Sequence, residues 1–199
     1  MVNKRSVRMK MLAKVLKIIC NVVFWISAVG FILFLLASIV VSFIPKEHLV
    51  LSANMSGSLS ATIEGTMLFK FNPQTSEGIM IKPVLQALFM WICVSSLMLS
   101  VVLFEVKRIM KTVVKDNPFE KGNSKNLTVI AAVLIAGSLI VPIFEGRIAW
   151  TIIQTLQIAN IGIGYSLNGT LLAAGILILI LAGVFQYGNY LQEEVDSTL

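Results

Sequence analysis

Acidic residues, histidine and cysteine are scarce in this sequence. Its 199 residues hold ten Asp and Glu, one His and two Cys, and charged residues of both signs make up only 13%. Charge is missing altogether from residues 18–45, 83–104, 126–144 and 148–192. Each of these runs is long enough to cross a hydrocarbon layer of about 30 Å, which takes roughly 20 helical residues. A soluble domain of this length has no core large enough to hide a chain that is 57% hydrophobic. A soluble enzyme is therefore excluded, and the membrane is the solvent in which this chain folds.

The other shortages exclude chemistry. The single histidine, His48, has no Cys or carboxylate cluster at metal-ligand spacing beside it. Cys20 and Cys93 both fall inside apolar runs, one near the end of its span and one near the middle. That difference in depth argues against a disulfide and for two small buried hydrophobes. The nine methionines are scattered, and no phosphate loop, nucleophile elbow or catalytic carboxylate pair is present. The span interiors carry no ionisable residue of the kind that marks an ion or proton path; Glu105 and Glu145 sit at span ends. Neither catalysis nor a cofactor or metal is expected.

What is present defines a topology. Spans are predicted at about 18–44, 83–104, 127–145 and 167–187, forming a single membrane domain over residues 1–199. The run from Ile18 to Ile44 is 27 residues, far beyond the roughly 7–15 of a signal peptide, and reads as an uncleaved anchor. Six Lys and Arg precede the first span: Lys4, Arg5, Arg8, Lys10, Lys14 and Lys17. Six more lie in the 105–126 connection: Lys107, Arg108, Lys111, Lys115, Lys121 and Lys125. The 45–82 and 146–166 connections share four: Lys46, Lys70, Lys82 and Arg147. Twelve against four places both termini and the 105–126 loop in the cytoplasm. Trp150 and Tyr165 then suit the outer interface, and Tyr187 and Tyr190 the inner one. The fold class is an all-α integral membrane protein, a four-transmembrane-helix bundle with an outer loop patterned for a small β-hairpin.

Between the spans, Val106, Ile109, Met110, Val113 and Val114 recur at helical spacing, with Lys107, Lys111 and Lys115 on another face. This predicts an extension of the second span that can lie at the headgroup boundary and stops at Asp116-Asn117, before Pro118. Asn123 or Ser124 is then placed to cap the third span. In the outer 45–82 segment, residues 58–64 alternate apolar with polar, 66–71 is β-prone, and Glu64-Gly65 suits a two-residue turn. That register would set Ile63 against Thr66 and Leu59 against Lys70. Trp150 onward suits a short interfacial helix, with Gly162 and Gly164 turning the chain back. Small residues, Ala132 and Ala136 in span three and Ala174, Gly175, Ala182 and Gly183 in span four, suit close helix packing or a homo-oligomer contact. The basic N-terminus suits anionic lipid better than direct nucleic acid binding.

Two stretches carry a resemblance. Asn117-Pro118-Phe119-Glu120 precedes Asn123 and Leu127, and the chain ends in a run from Val184 in which Phe185, Gly188, Leu191, Glu194, Asp196 and Thr198 follow the pattern Phe-x-x-Gly-x-x-Leu-x-x-Glu-x-Asp-x-Thr. With four spans, the chain resembles the bacterial membrane family called domain of unknown function 2975. It departs where members often have Arg after the Leu opening span three, because Thr128 stands there. The family has no established activity. The frequent proximity of its genes to small helix-turn-helix regulators of the Cro/repressor type implies a regulatory or sensory membrane protein with such a cytoplasmic partner. The partner-binding residues would be Asn117, Pro118, Phe119, Asn123, Phe185, Gly188, Leu191, Glu194, Asp196 and Thr198. The 105–126 loop is net +3 and the tail from Gln186 net −3, so the two are expected to pair through exposed contacts of about 0–1 kcal/mol each. Leu191, Val195 and Leu199 would give a tail helix an apolar stripe. A small transporter or bacteriocin-immunity-like protein, or a passive assembly subunit, is the alternative.

Overall fold

The computed structural model describes residues 4–51, 59–63, 67–71, 79–115, 117, 119–156 and 162–197. Four helices dominate: α1 (Lys4–Phe43), α2 (Lys82–Val114), α3 (Lys121–Thr155) and α4 (Gly169–Ser197). All four are long and apolar enough to cross a membrane, and in that solvent a helix is the local structure that satisfies its own backbone. The chain is a multi-pass membrane protein. The helices pack as a row, α1 on α2, α2 on α3 and α3 on α4, with no other pair in comparable contact.

Each seam has its own chemistry. Along α1 the buried residues Ala13, Cys20, Ser27 and Val41 fall at multiples of seven, the repeat that keeps one face of a helix on its neighbour. Midway along, Ser27 donates to the Ser96 carbonyl at 2.8 Å, and Ser100 donates to Ser27 Oγ at 3.0 Å. Cys93 lies 3.8 Å from the Phe31 carbonyl, and both cysteines are free thiols. Between α3 and α4, a Cβ on Gly175 would stand 3.1 Å from Ile135 N and 3.2 Å from Ala131 O, so the two backbones touch. The buried alanine of α3 is Ala131, with 0% exposure. Ala132 and Ala136 face outward, and so does Gly183, so of the two uses expected for them packing within the chain is not the one they serve. Gly175 and Ala182 do face inward as expected.

The helix ends show three devices. Lys82, opening α2, donates to the carbonyls of Ser42 and Ile44 at 2.9 and 2.6 Å, a cation on the negative end of α1. Pro142 inside α3 has no N–H for the carbonyl four residues back, that of Ser138. The Asn168 N–H supplies the missing donor at 3.0 Å, while Asn168 Oδ1 accepts from Leu171 N at 3.1 Å and caps α4. The Tyr165 ring, from the 162–168 strap leading into α4, sits on buried Gly146.

Three sequence expectations are corrected. The short helix expected after Trp150 is the last turns of α3, which continues unbroken to Thr155. The apolar face of Val106, Ile109, Met110 and Val113 is not free for a headgroup boundary; it packs against Leu127, Ile130 and Ala182. Helix α3 starts at Lys121 with Glu120 at its N-cap and no side-chain cap, so neither Asn123 nor Ser124 caps it.

In the outer segment, β1 (Val50–Leu51) pairs with β4 (Ile79–Met80), which draws the ends of the 45–82 connection together. Strand β2 (Leu59–Ile63) pairs antiparallel with β3 (Met67–Phe71). The Glu64-Gly65 turn lies outside the described residues. The register is one residue from that expected: Ile63 pairs with Met67, Ala61 with Phe69 and Leu59 with Phe71. The shift aligns apolar residues with apolar ones at alternate positions, which the two-residue turn would not have done.

Candidate functional site: the junction at the lysine-rich end

At the lysine-rich end, α2 stops, the chain turns, α3 begins and α4 finishes. Helix α2 closes at Val114, where Lys115 N and Asn117 N both donate to the Thr112 carbonyl, at 3.0 and 3.2 Å. The turn then delivers Phe119 to α4. Its ring lies 5.3 Å from that of Phe185 at an interplanar angle of 45°, an arrangement favoured by aromatic quadrupoles. One turn further along α4, Gly188 makes room for it. A Cβ there would stand 2.8 Å from Phe119 Cδ1 and 2.9 Å from Cε1, too close for any other residue without moving the ring. The Asn-Pro-Phe stretch and the Phe-x-x-Gly stretch, 66 residues apart from Phe119 to Phe185, therefore form one structure.

The first turn of α3 joins this lock to both neighbours. Asn123, at 0% exposure, donates from Nδ2 to Thr112 Oγ1 on α2 at 2.5 Å. Thr112 in turn donates to the Ile109 carbonyl at 2.7 Å. The adjacent Ser124 points the other way and donates to the Ala182 carbonyl on α4 at 2.9 Å. Two consecutive side chains thus tie α3 to the helices on either side, a stronger use of them than a cap.

Two charged contacts flank the junction. Glu105 on α2 is buried, its side chain 10% exposed, with Arg108 Nη1 3.4 Å away. Asn126 of α3, its amide nitrogen toward the carboxylate, donates to Glu105 Oε2 at 3.1 Å and to the Gly122 carbonyl at 3.2 Å. At the surface, Lys121 Nζ lies 3.4 Å from Glu193 Oε1, with side-chain exposures of 82% and 58%. This is the pairing of basic loop with acidic tail that the charge distribution predicts.

Among the expected partner-binding residues, the structure brings together Phe119, Phe185 and Gly188, with Asn123 in the layer beneath. Asn117 is half-buried in the turn, and Pro118 lies outside the described residues. Leu191 and Glu194 are exposed on the last turns of α4; Thr198 and the side chain of Asp196 lie outside the described residues. Thr112, Glu105 and Asn126 belong to the junction and were not signalled as such by the sequence. Thr112 sits among lysines on a helix whose apolar pattern draws attention to other positions.

No curated protein and no solved structure matches the chain. A family model described as "Protein of unknown function (DUF2975)" matches residues 65–199, a stretch that contains α2, α3, α4 and the whole junction. The chain, with its four membrane-length helices, belongs to that family.

Proposed function

We propose that the protein is a non-enzymatic regulatory or sensory membrane protein, and that its junction and α4 tail hold a cytoplasmic partner. Both termini lie in the cytoplasm of a bacterial plasma membrane on this reading, which the twelve-to-four distribution of Lys and Arg supports. The observation that carries it is the meeting of the two motifs: Phe119 seated on Phe185 and Gly188 sets the direction in which α4 leaves the membrane. The helix continues past Gly188 to Ser197, and from Tyr187 onward it presents Tyr187, Leu191 and Val195 in an i, i+4, i+8 stripe, 65%, 43% and 57% exposed. Such a stripe is the apolar face by which a helix docks in a partner's groove. The exposed ion pair of Lys121 with Glu193 contributes about 0–1 kcal/mol and suits a contact that opens on binding. The partner that the family resemblance suggests is a small helix-turn-helix regulator.

The test is photocrosslinking in living cells from a benzophenone amino acid placed at Leu191 of the full chain. The expected result is an adduct with a helix-turn-helix regulator encoded beside it, lost when Tyr187 and Val195 are changed to Ser. An adduct that survives those changes, or none with a regulator coexpressed at equal level, overturns the proposal.

A further inference from the structure

We infer that the lysine-rich end of the α1–α2 pair is a discrete site for an anionic phospholipid carrying two phosphate groups, of the cardiolipin class. This goes beyond the partner reading and does not depend on it. The two helices run antiparallel in a register set by Ser27 with Ser100 and Asn21 with Lys107. Moving outward from Asn21 on α1 and from Lys107 on α2, that register places Lys17 level with Lys111, and Lys14 about one turn further out. At 1.5 Å per residue, Lys14, Lys17, Lys107 and Lys111 fall within a band about 10 Å tall on two helices about 8–10 Å apart.

Among the described residues, this band has four cations and no matching carboxylate. Helix α1 carries no acidic residue, and Glu105 is the one acid of α2. Glu105 is committed to Arg108 and to Asn126 of α3. Lys107 instead gives its amine to a neutral oxygen, Asn21 Oδ1 at 2.6 Å, and lies 5.6 Å from the centre of the Phe24 ring. An ammonium held by an amide and a π face, with three other lysines in the same band of the two helices, is a site that gains from an anion. Basic residues between helix ends at the membrane surface are the arrangement that binds polyanionic lipid head groups.

Depth selects lipid over a soluble anion. Asn21, and with it Lys107, lies three residues inside the uncharged run that starts at residue 18, below the level of the other lysines. Beside it, Ile18, Ile19 and Val22 are 64%, 52% and 52% exposed and offer an apolar wall to acyl chains. Four ammoniums match two phosphates on one glycerol bridge better than a single phosphate, which would leave most of the repulsion in place.

Native mass spectrometry of the full chain in detergent, titrated with tetraoleoyl cardiolipin and with dioleoyl phosphatidylglycerol, tests this. Cardiolipin is expected to bind at least tenfold more tightly. The paired change Lys17→Gln and Lys111→Gln is expected to weaken it about 30-fold, the loss of two near-surface lysines; Lys17→Arg with Lys111→Arg keeps it. Lys125→Gln with Arg147→Gln, the same charge loss on α3, changes it less than threefold. The single exposed change Lys111→Gln, expected to cost about fivefold, covers the case in which the pair disturbs folding. Equal affinity for phosphatidylglycerol, equal loss in the α3 pair, or displacement by inorganic pyrophosphate overturns the inference.

Discussion

Replacing Gly188 by Ala should destabilise the protein when Phe119 is present and stabilise it when Phe119 is absent. In an exposed helix interior, Ala is favoured over Gly by about 0.8–1 kcal/mol, and Gly188 lies well inside α4. Against that gain stands the Phe119 ring, 2.8 and 2.9 Å from the position of the new Cβ. Phe119 sits on a turn and is 39% exposed, so the ring swings outward before either backbone moves. Leaving Phe185 forfeits about 1 kcal/mol of aromatic pairing, and the lost burial of the ring adds about another 1 kcal/mol. The net effect of Gly188→Ala is then a loss of about 1 kcal/mol. In a Phe119→Ala background nothing opposes the propensity term, and the same change gains about 1 kcal/mol. A double-mutant cycle, read by equilibrium unfolding in mixed micelles of rising SDS content, should return a coupling of about 2 kcal/mol. A Gly188→Ala effect of the same sign and size in both backgrounds would refute the claim that the two motifs form one lock.

Three further outcomes follow from the geometry. Asn123→Ala should cost about 2 kcal/mol in the same assay, because it strips a fully buried bond between α3 and α2; Ser124→Ala, which leaves the Ala182 carbonyl its own helix bond, should cost under half as much. Pro142→Ala restores an in-helix donor to the Ser138 carbonyl, so amide exchange at Asn168, its present partner, should speed about tenfold by hydrogen–deuterium measurement; unchanged protection would show that the proline is not what holds that bond. Green fluorescent protein fused after Leu199 should fluoresce, and alkaline phosphatase fused after Leu156 should be active. The opposite pattern would invert the topology that the positive-inside count supports.

The spans were legible because charge is expensive in hydrocarbon and its absence stands out over some twenty residues. The seams were not. In a soluble helix the buried face is apolar against a polar one, but in lipid both faces are apolar, so periodicity in hydropathy disappears. The heptad of Ala13, Cys20, Ser27 and Val41 is invisible amid Ile18, Val22, Ile26 and Leu33, which are as apolar and lie outside. The same cause hides Ala131, which meets Gly175 of α4, beside Ala132 and Ala136, which are as small and lie outside. At the junction, short polar residues at a helix start read first as caps. That Asn123 and Ser124 instead bridge to α2 and α4 depends on helices that meet only in three dimensions. Phe119 and Gly188 were singled out by a family pattern, whereas the reason for the glycine lies 69 residues away in sequence.

A row of helices, each packed on its chain neighbours, has consequences for how the lysine-rich end could respond to a partner. Because α4 packs mainly on α3, with Ala182 reaching the α2 cluster, the junction is the main feature that fixes where its last turns point. Seen from the tail, the junction is a short chain of contacts: the Lys121–Glu193 pair at the surface, Phe119 on Gly188 beneath it, and Ser124 on Ala182 deeper still. The first is worth little in water, and the second is set by one ring on an exposed turn. A partner that grips Leu191 and Val195 therefore works against the weakest contacts first. Any movement of the turn reaches α2 through Asn123 and Thr112, and α2 is the helix whose seam with α1 carries the lysine band. On these proposals the α4 tail for a protein and the α1–α2 lysines for a lipid are linked through the α3–α2 seam, in which Asn123 is the buried polar bond nearest the turn. If they communicate, cardiolipin affinity should shift when Leu191 is occupied in wild type but not in Asn123→Ala; an equal shift in both would show that the coupling runs by another path.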